Sequence, residues 1–220
     1  MKRLISKNGN PVWIKFCGMR KAGDIAAAAK AGADAVGWIF VPSAWRYVTP
    51  EQAAAMLPEA ENLQRVGVFV DAPIEWVRTV VQTVRLDFVQ LHGDENRNYI
   101  EELQDKTAAS IVKALRLRRP EDCERFAETY RRLPGIAAFL LEPYLEDAPG
   151  GAGRAFPWEW VHAGTWDKPI ILAGGLTPDN VRDAVQTVSP DGLDVSSGIE
   201  TNRQKDPAKM EAFIRNLRGW

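Results

Sequence analysis

The chain has 220 residues, 28 basic and 29 acidic side chains and a formal net charge of −1, so it carries no concentrated basic field for nucleic acid or an anionic membrane surface. Hydrophobic residues make up 45% and charged residues 26%, which excludes a disordered chain and suffices for one substantial core. Two cysteines, Cys17 and Cys123, and two histidines, His92 and His162, leave no disulfide framework and no CxxC or His-rich metal site.

Residues 1–12 contain lysines and Arg3 but no apolar stretch of a signal peptide. No apolar run approaches the ~20 residues of a membrane span. A cytoplasmic protein with reduced thiols is expected. From there the elements alternate. Trp13–Cys17 reads as a short buried strand, and Asp24–Ala31 as a helix that Gly32 can end with φ > 0. Strands follow at Ala35–Phe40 and Arg65–Val70. Between them Thr49-Pro50-Glu51-Gln52 opens a helix over Pro50–Leu57 with a capping threonine, a proline at the first position and a reciprocal glutamine. Next come a helix at Ile74–Val84, a strand at Phe88–Leu91 and a helix at Asn96–Gln104. Strands at Ile111–Leu115 and Ala137–Leu141 flank a helix at Glu121–Arg132. A helix at Trp158–Gly164 precedes the strand Pro169–Leu172. Thr177-Pro178 and Asp206-Pro207 repeat the cap-plus-proline device for helices at Pro178–Val188 and Pro207–Leu217, on either side of the strand Gly192–Val195.

Eight strand–helix units without a linker predict an α/β fold, a single-domain (β/α)8 barrel over residues 1–220 with a short N-terminal extension at 1–12. A doubly wound open sheet is the competing arrangement. Its G-x-G-x-x-G fingerprint is absent, and Cys17-Gly18-Met19-Arg20 stands in that place.

In a barrel the chemistry gathers at the carboxyl ends of the strands. Cys17 ends the first strand. It reads as a nucleophile or base if Lys15, Arg20 or Arg46 supplies positive charge, or as a small buried side chain. Cys123, on a helix, reads as packing. Glu142 follows the sixth strand and is a candidate general acid or a solvated loop charge; Glu146 and Asp147 read as solvated. A general acid must be protonated when substrate binds, so burial near Leu140, Leu141 and Tyr144 is expected to raise the pKa of Glu142. Asp194, inside the last strand, either pairs with a buried partner or faces the site. Arg46 can fork onto a carboxylate or be a surface charge, and His92, which ends the fourth strand, reads as a residue that orients a ligand or as a hydrogen-bonded rim histidine. Trp38 and Trp45 read first as packing, although Trp45 beside Arg46 could line an aromatic pocket. Gly151 and Gly153, Gly174 and Gly175, and Ser197 with Gly198 form three glycine-rich patches. The last two follow strands seven and eight, where barrels commonly hold a phosphate.

These segments together resemble the phosphoribosylanthranilate isomerase family. The likeness is carried by Lys15-Phe16-Cys17-Gly18-Met19, Gln90-Leu91-His92-Gly93 and Asp194-Val195-Ser196-Ser197-Gly198-Ile199-Glu200, with glycine-rich pieces between them in family order from about residue 15 to about 200. The resemblance implies an Amadori rearrangement of N-(5-phosphoribosyl)anthranilate, in tryptophan biosynthesis, without metal or cofactor. It puts the base at Cys17, the acid at Glu142, the anthranilate carboxylate at Arg46 and an aspartate near the substrate at Asp194. The phosphate falls at Gly174-Gly175 and Ser197-Gly198. The family usually has aspartate where Glu142 stands, and Ser-Pro where Ala44-Trp45 stands. The expected partner is a small phosphorylated substrate, on a monomer or homodimer. Alternative readings are another phosphate-binding barrel such as indole-glycerol-phosphate synthase, with Lys113 as an isolated candidate lysine, or a ligand-binding barrel with impaired catalysis.

Overall fold

The computed structural model describes residues 12–143 and 157–219. Eight parallel strands pair in chain order into a closed barrel: β1 Trp13–Cys17, β2 Ala35–Ile39, β3 Gln64–Phe69, β4 Phe88–Leu91, β5 Ser110–Leu117, β6 Ile136–Pro143, β7 Ile170–Ala173 and β8 Gly192–Val195. β8 returns to β1 with Asp194 opposite Lys15. The helices are α1 Ala22–Ala31, α2 Pro50–Ala55, α3 Ile74–Val84, α4 Arg97–Lys106, α5 Glu121–Tyr130, α6 Val181–Val188 and α7 Pro207–Arg218. Beyond β8, β9 Glu200–Thr201 and β10 Gln204–Lys205 form a small antiparallel hairpin. The fold is the (β/α)8 barrel expected. The extension 1–12 lies outside the described residues, except Val12.

Two of the three cap-plus-proline starts expected from sequence form. Thr49 and Gln52 form the reciprocal box at α2, and the Asp206 carboxylate accepts from the Ala208 and Lys209 amides at α7. Gly32 ends α1 at φ 94°. Two expectations need correction. The residues after β6 form a 3-10 segment, Trp158–Ala163, in place of the α-helix read over Trp158–Gly164. Two of its carbonyls are taken by side chains, Trp160 O by the Cys123 thiol and Val161 O by the Trp166 indole N–H. They would otherwise accept the i+4 bonds of an α-turn. Likewise α6 does not begin at Pro178. The Asn180 side chain accepts from the Thr177 amide and donates to Gly175 O, so a side-chain-closed turn precedes the helix.

Period-two alternation sorts every strand into two faces. Ile14, Phe16, Val36, Trp38, Val89, Phe139 and Leu172 join the large apolar layer between sheet and helices. Trp13, Ala35, Val66, Phe88, Val112, Ala138, Leu140 and Ile171 form a separate cluster inside the ring. Continuing the inner parity toward the carboxyl ends reaches Lys15 and Cys17 on β1, Gln90 and then His92 beyond β4, Arg116 on β5, Glu142 on β6 and Asp194 on β8. The barrel interior is thus apolar below and polar above.

Lys113 belongs to the opposite parity. Its ammonium donates to Glu95 at 2.9 Å and to the Leu91 and Gly93 carbonyls. Glu95 also accepts from the Asp71 and Gly93 amides. The pair is almost fully buried, at 3% and 1% side-chain exposure. It ties the loops after β3 and β4 to β5, and commits Lys113 to this pair, away from the synthase chemistry that it suggested. Removing one partner strands a buried carboxylate, so Lys113→Met is expected to cost about 3–5 kcal/mol, measured by chemical denaturation. A loss under about 1 kcal/mol would show that the pair does not hold these loops.

Candidate active site

Over the polar end of the barrel lies a cavity of about 580 Å³ whose walls include Cys17, Arg46, His92, Glu142, Gly174, Gly175, Asp194 and Ser197. Eight of the sequence-predicted site residues therefore converge. Gly198 does not line the space. A Cβ there would collide with the Leu176 carbonyl oxygen, so this glycine serves a close approach of two backbones. Gly151 and Gly153 lie outside the described residues, as do Tyr144, Glu146 and Asp147. Among the described residues no group of three His, Cys, Asp or Glu side chains is placed to hold a metal ion. No described helix is long and apolar enough to cross a membrane.

Asp194 does both things its sequence position allowed. Its Oδ2 accepts from Lys15 Nζ at 2.8 Å, while its buried Oδ1 finds no hydrogen-bond partner among the described residues. Lys15 is buried inside the barrel. Burial alone would lower its pKa, but Asp194 and the Cys17 thiol beside it raise it, so Lys15 is a cation. Gly37 on β2 makes room for this contact, because a Cβ there would stand 2.7 Å from Lys15 Cε and 3.0 Å from Cys17 Sγ.

Cys17 is pushed above the ordinary thiol range, first by burial and also by Asp194, against the pull of Lys15 and Lys205. The charge that sequence reasoning looked for is present, but it does not overcome desolvation. Titration of thiolate ultraviolet absorbance is therefore expected to reach its midpoint for Cys17 above that of free cysteine. Burial pushes Cys123 up to about 12, so the titration is made on Cys123→Ala, where the signal belongs to Cys17. A midpoint at or below free cysteine would mean that the Lys15 charge prevails.

Glu142 meets His92, with Oε1 2.6 Å from Nε2. The expected rise in its pKa is not found. Burial does push it up, but His92, Arg116 and Lys15 together hold the carboxyl below the usual range. Behind His92 stands Gln90, 2.9 Å from Nδ1, and behind Gln90 stands Lys15, 2.9 Å from its Oε1. A hydrogen-bonded row thus crosses from β1 to β6.

Arg46 is buried and forks onto Glu200, Nε to Oε1 at 2.9 Å and Nη2 to Oε2 at 2.8 Å. Lys205 Nζ donates to the same carboxylate at 2.7 Å. Burial raises the Glu200 carboxyl, but Arg46 and Lys205 bring it below the usual range. Trp45 lines the cavity with the Arg46 guanidinium 4.1 Å from its ring centre, and Arg20 and Arg203 stand 5.6 and 5.7 Å away. Trp38 is packing, fully buried. Gly174 and Gly175 take φ 80° and 69°, a left-handed turn suited to glycine. A 3-10 segment, Ser197–Ile199, follows β8 across from them.

Sequence reasoning missed Gln90 as a side chain facing the site, and Arg116 and Arg203 as parts of its wall. Arg116 could have been found by extending the fifth strand one step in its inner parity. Arg203 sits at φ 60° in the β9–β10 turn, and nothing in the local sequence announces which way it reaches.

The sequence model of the family described as N-(5'phosphoribosyl)anthranilate (PRA) isomerase matches residues 14–216. A relative from Geobacter sulfurreducens, N-(5'-phosphoribosyl)anthranilate isomerase, is 41% identical over 211 residues, covering 95% of this chain and 100% of that protein. Monomers generated from the dimeric phosphoribosylanthranilate isomerase of Thermotoga maritima have a solved structure with a TM-score of 0.81 and 32% identity, over 95% of this chain and 100% of that one. A phosphoribosyl anthranilate isomerase in complex with reduced 1-(o-carboxyphenylamino)-1-deoxyribulose 5-phosphate gives 0.80 at 32% identity, with the same coverage of 95% and 100%.

Proposed function

Because the chain belongs to the N-(5'-phosphoribosyl)anthranilate isomerase family, we propose that the cavity above β1, β6 and β8 is its active site, with Cys17 as the base and Glu142 as the acid. The protein is an aldose–ketose isomerase of tryptophan biosynthesis. It performs the Amadori rearrangement of N-(5-phosphoribosyl)anthranilate to 1-(2-carboxyphenylamino)-1-deoxyribulose 5-phosphate. One observation carries the assignment of roles: a thiol and a carboxyl reach the same cavity from β1 and β6, well apart around the ring.

The chemistry needs one proton delivered and one removed. Glu142 gives its proton to the ring oxygen as the bond from that oxygen to C1 breaks, and the nitrogen lone pair forms the C1=N iminium. The Cys17 thiolate takes the proton from C2, and those electrons make the C1=C2 enolamine while quenching the iminium. Loss of the proton from the C2 hydroxyl and protonation of C1 then give the ketone. Asp194 Oδ1 is an open acceptor for a sugar hydroxyl. Glu200 holds the Arg46 guanidinium so that its cavity side meets the anthranilate carboxylate. Backbone N–H groups at Gly174-Gly175 and Ser197 cradle the phosphate. The proposed assembly is a monomer or a homodimer. A cytoplasmic location and a small phosphorylated substrate as the only partner complete the proposal.

The test is conversion of N-(5-phosphoribosyl)anthranilate to the ketose by the purified protein, with Gly175→Val beside it. Valine at φ 69° strains the cradle. Losing one charged hydrogen bond, about 1.5–3 kcal/mol, should raise KM roughly tenfold or more. An unchanged KM would put the phosphate elsewhere, and an absence of conversion by the unaltered protein would end the reading of the cavity.

A further inference from the structure

We infer that Gln90 is a positioning residue for the acid: pinned by Lys15, its amide keeps the proton of the His92 ring on Nε2, where it donates to Glu142. The inference rests on reading Glu142 as the acid. It follows from donor and acceptor chemistry along one row of contacts.

The row begins at an ammonium, which only donates. Lys15 Nζ stands 2.9 Å from Gln90 Oε1 and 2.8 Å from Asp194 Oδ2. A donor-only partner settles which end of the amide faces it: the oxygen. The NH2 end of Gln90 then faces His92 Nδ1 at 2.9 Å. That end also only donates, so Nδ1 must accept. The ring proton is left to Nε2, 2.6 Å from Glu142 Oε1. The bonds therefore all run one way, Lys15 to Gln90 to His92 to Glu142. The opposite tautomer would set an N–H against the Gln90 NH2. Turning the amide over to relieve that would set its NH2 against the Lys15 ammonium. Gln90 is 2% exposed, so water cannot relieve either clash, and each leaves buried donors without acceptors.

The consequence falls on Glu142. Its Oε1 is committed as an acceptor, so the proton it delivers resides on Oε2, and one oxygen of the acid is singled out. Glu142 also faces Arg116 on β5 and Lys15 on β1. Gln90 acts only through His92.

The chain has two histidines, which makes the ring directly observable. His162 is exposed and, among the described residues, bonds to the Thr187 carbonyl, so His162→Gln leaves His92 as the sole imidazole. Nitrogen-15 NMR of that protein is expected to find the proton on Nε2. Gln90→Glu keeps the size but presents only acceptors, so the proton is expected to move to Nδ1. Its kcat is then expected to fall at least about tenfold with KM within about threefold, the pattern of a mis-set tautomer. Gln90→Ala should give a mixture of tautomers and an intermediate kcat. A proton on Nδ1 in the unaltered site would overturn the inference without any variant having to fold. So would a switched tautomer in Gln90→Glu with kcat unchanged. If the tautomers behave as expected but Glu142→Gln is fully active, the reading of the acid fails and the tautomer assignment stands.

Discussion

Cys17→Ala is expected to lower kcat by ~100-fold or more, the range for a lost general base, while KM stays within about threefold. The side chain ends β1 inside the barrel, 5% exposed, with the Lys15 ammonium beside it and Gly37 leaving space for both. Lys15 keeps Asp194 and Gln90 after the substitution, so no buried charge is stranded. Stability should therefore change only by the small cavity left by one sulfur. That separates the chemical role from a packing role, because loss of packing alone would lower the denaturation midpoint without a hundredfold change in turnover. Cys123→Ala supplies the contrast. Cys123 lies on α5 and bonds to the Trp160 carbonyl, away from the cavity, so its removal should cost stability and leave kcat close to unchanged. Near-normal turnover in Cys17→Ala would exclude the thiol as the base.

How far the site could be read from sequence follows from parity. Once Trp13–Cys17 is a strand and Cys17 faces inward, Lys15 must face inward too, and a lysine inside a barrel demands a carboxylate. Asp194 on the neighbouring strand is that carboxylate. The same argument from His92 reaches Gln90. It escaped notice because an amide carries no charge, and an isolated glutamine in a strand fits an exposed edge as readily as an interior. Arg116 escaped because apolar content fades at Leu115, whereas the strand runs to Leu117. The sign of the Glu142 shift was not legible at all. It depends on His92, Arg116 and Lys15 arriving from three other strands, and sequence showed only the burial. The 3-10 segment after β6 was likewise decided at a distance, by Cys123 and Trp166 claiming carbonyls.

Glu142→Gln is expected to lower kcat by ~100-fold or more with KM changed little, as when an interaction made only in the transition state is lost. The glutamine oxygen can still accept from His92, so the row from Lys15 survives and only the deliverable proton is removed. In the unliganded protein that proton is scarce, because Glu142 titrates below the usual carboxyl range. The substrate brings a phosphate and a carboxylate into the same cavity, and their negative charge raises the Glu142 pKa as they bind. Glu142→Asp is the sharper experiment, since aspartate is the family's usual residue. Shortening the side chain withdraws the carboxyl by roughly 1.5 Å, one carbon–carbon bond. The 2.6 Å contact with His92 would then be broken unless β6 moved. Aspartate is therefore expected to be worse here than glutamate, with kcat down by about tenfold or more, because a displacement of ~1 Å can cost on the order of a hundredfold. Equal or better activity from Glu142→Asp would mean that the His92 contact contributes nothing to the acid. Full activity in Glu142→Gln, together with its loss in Asp147→Asn, would move the acid into the segment 144–156.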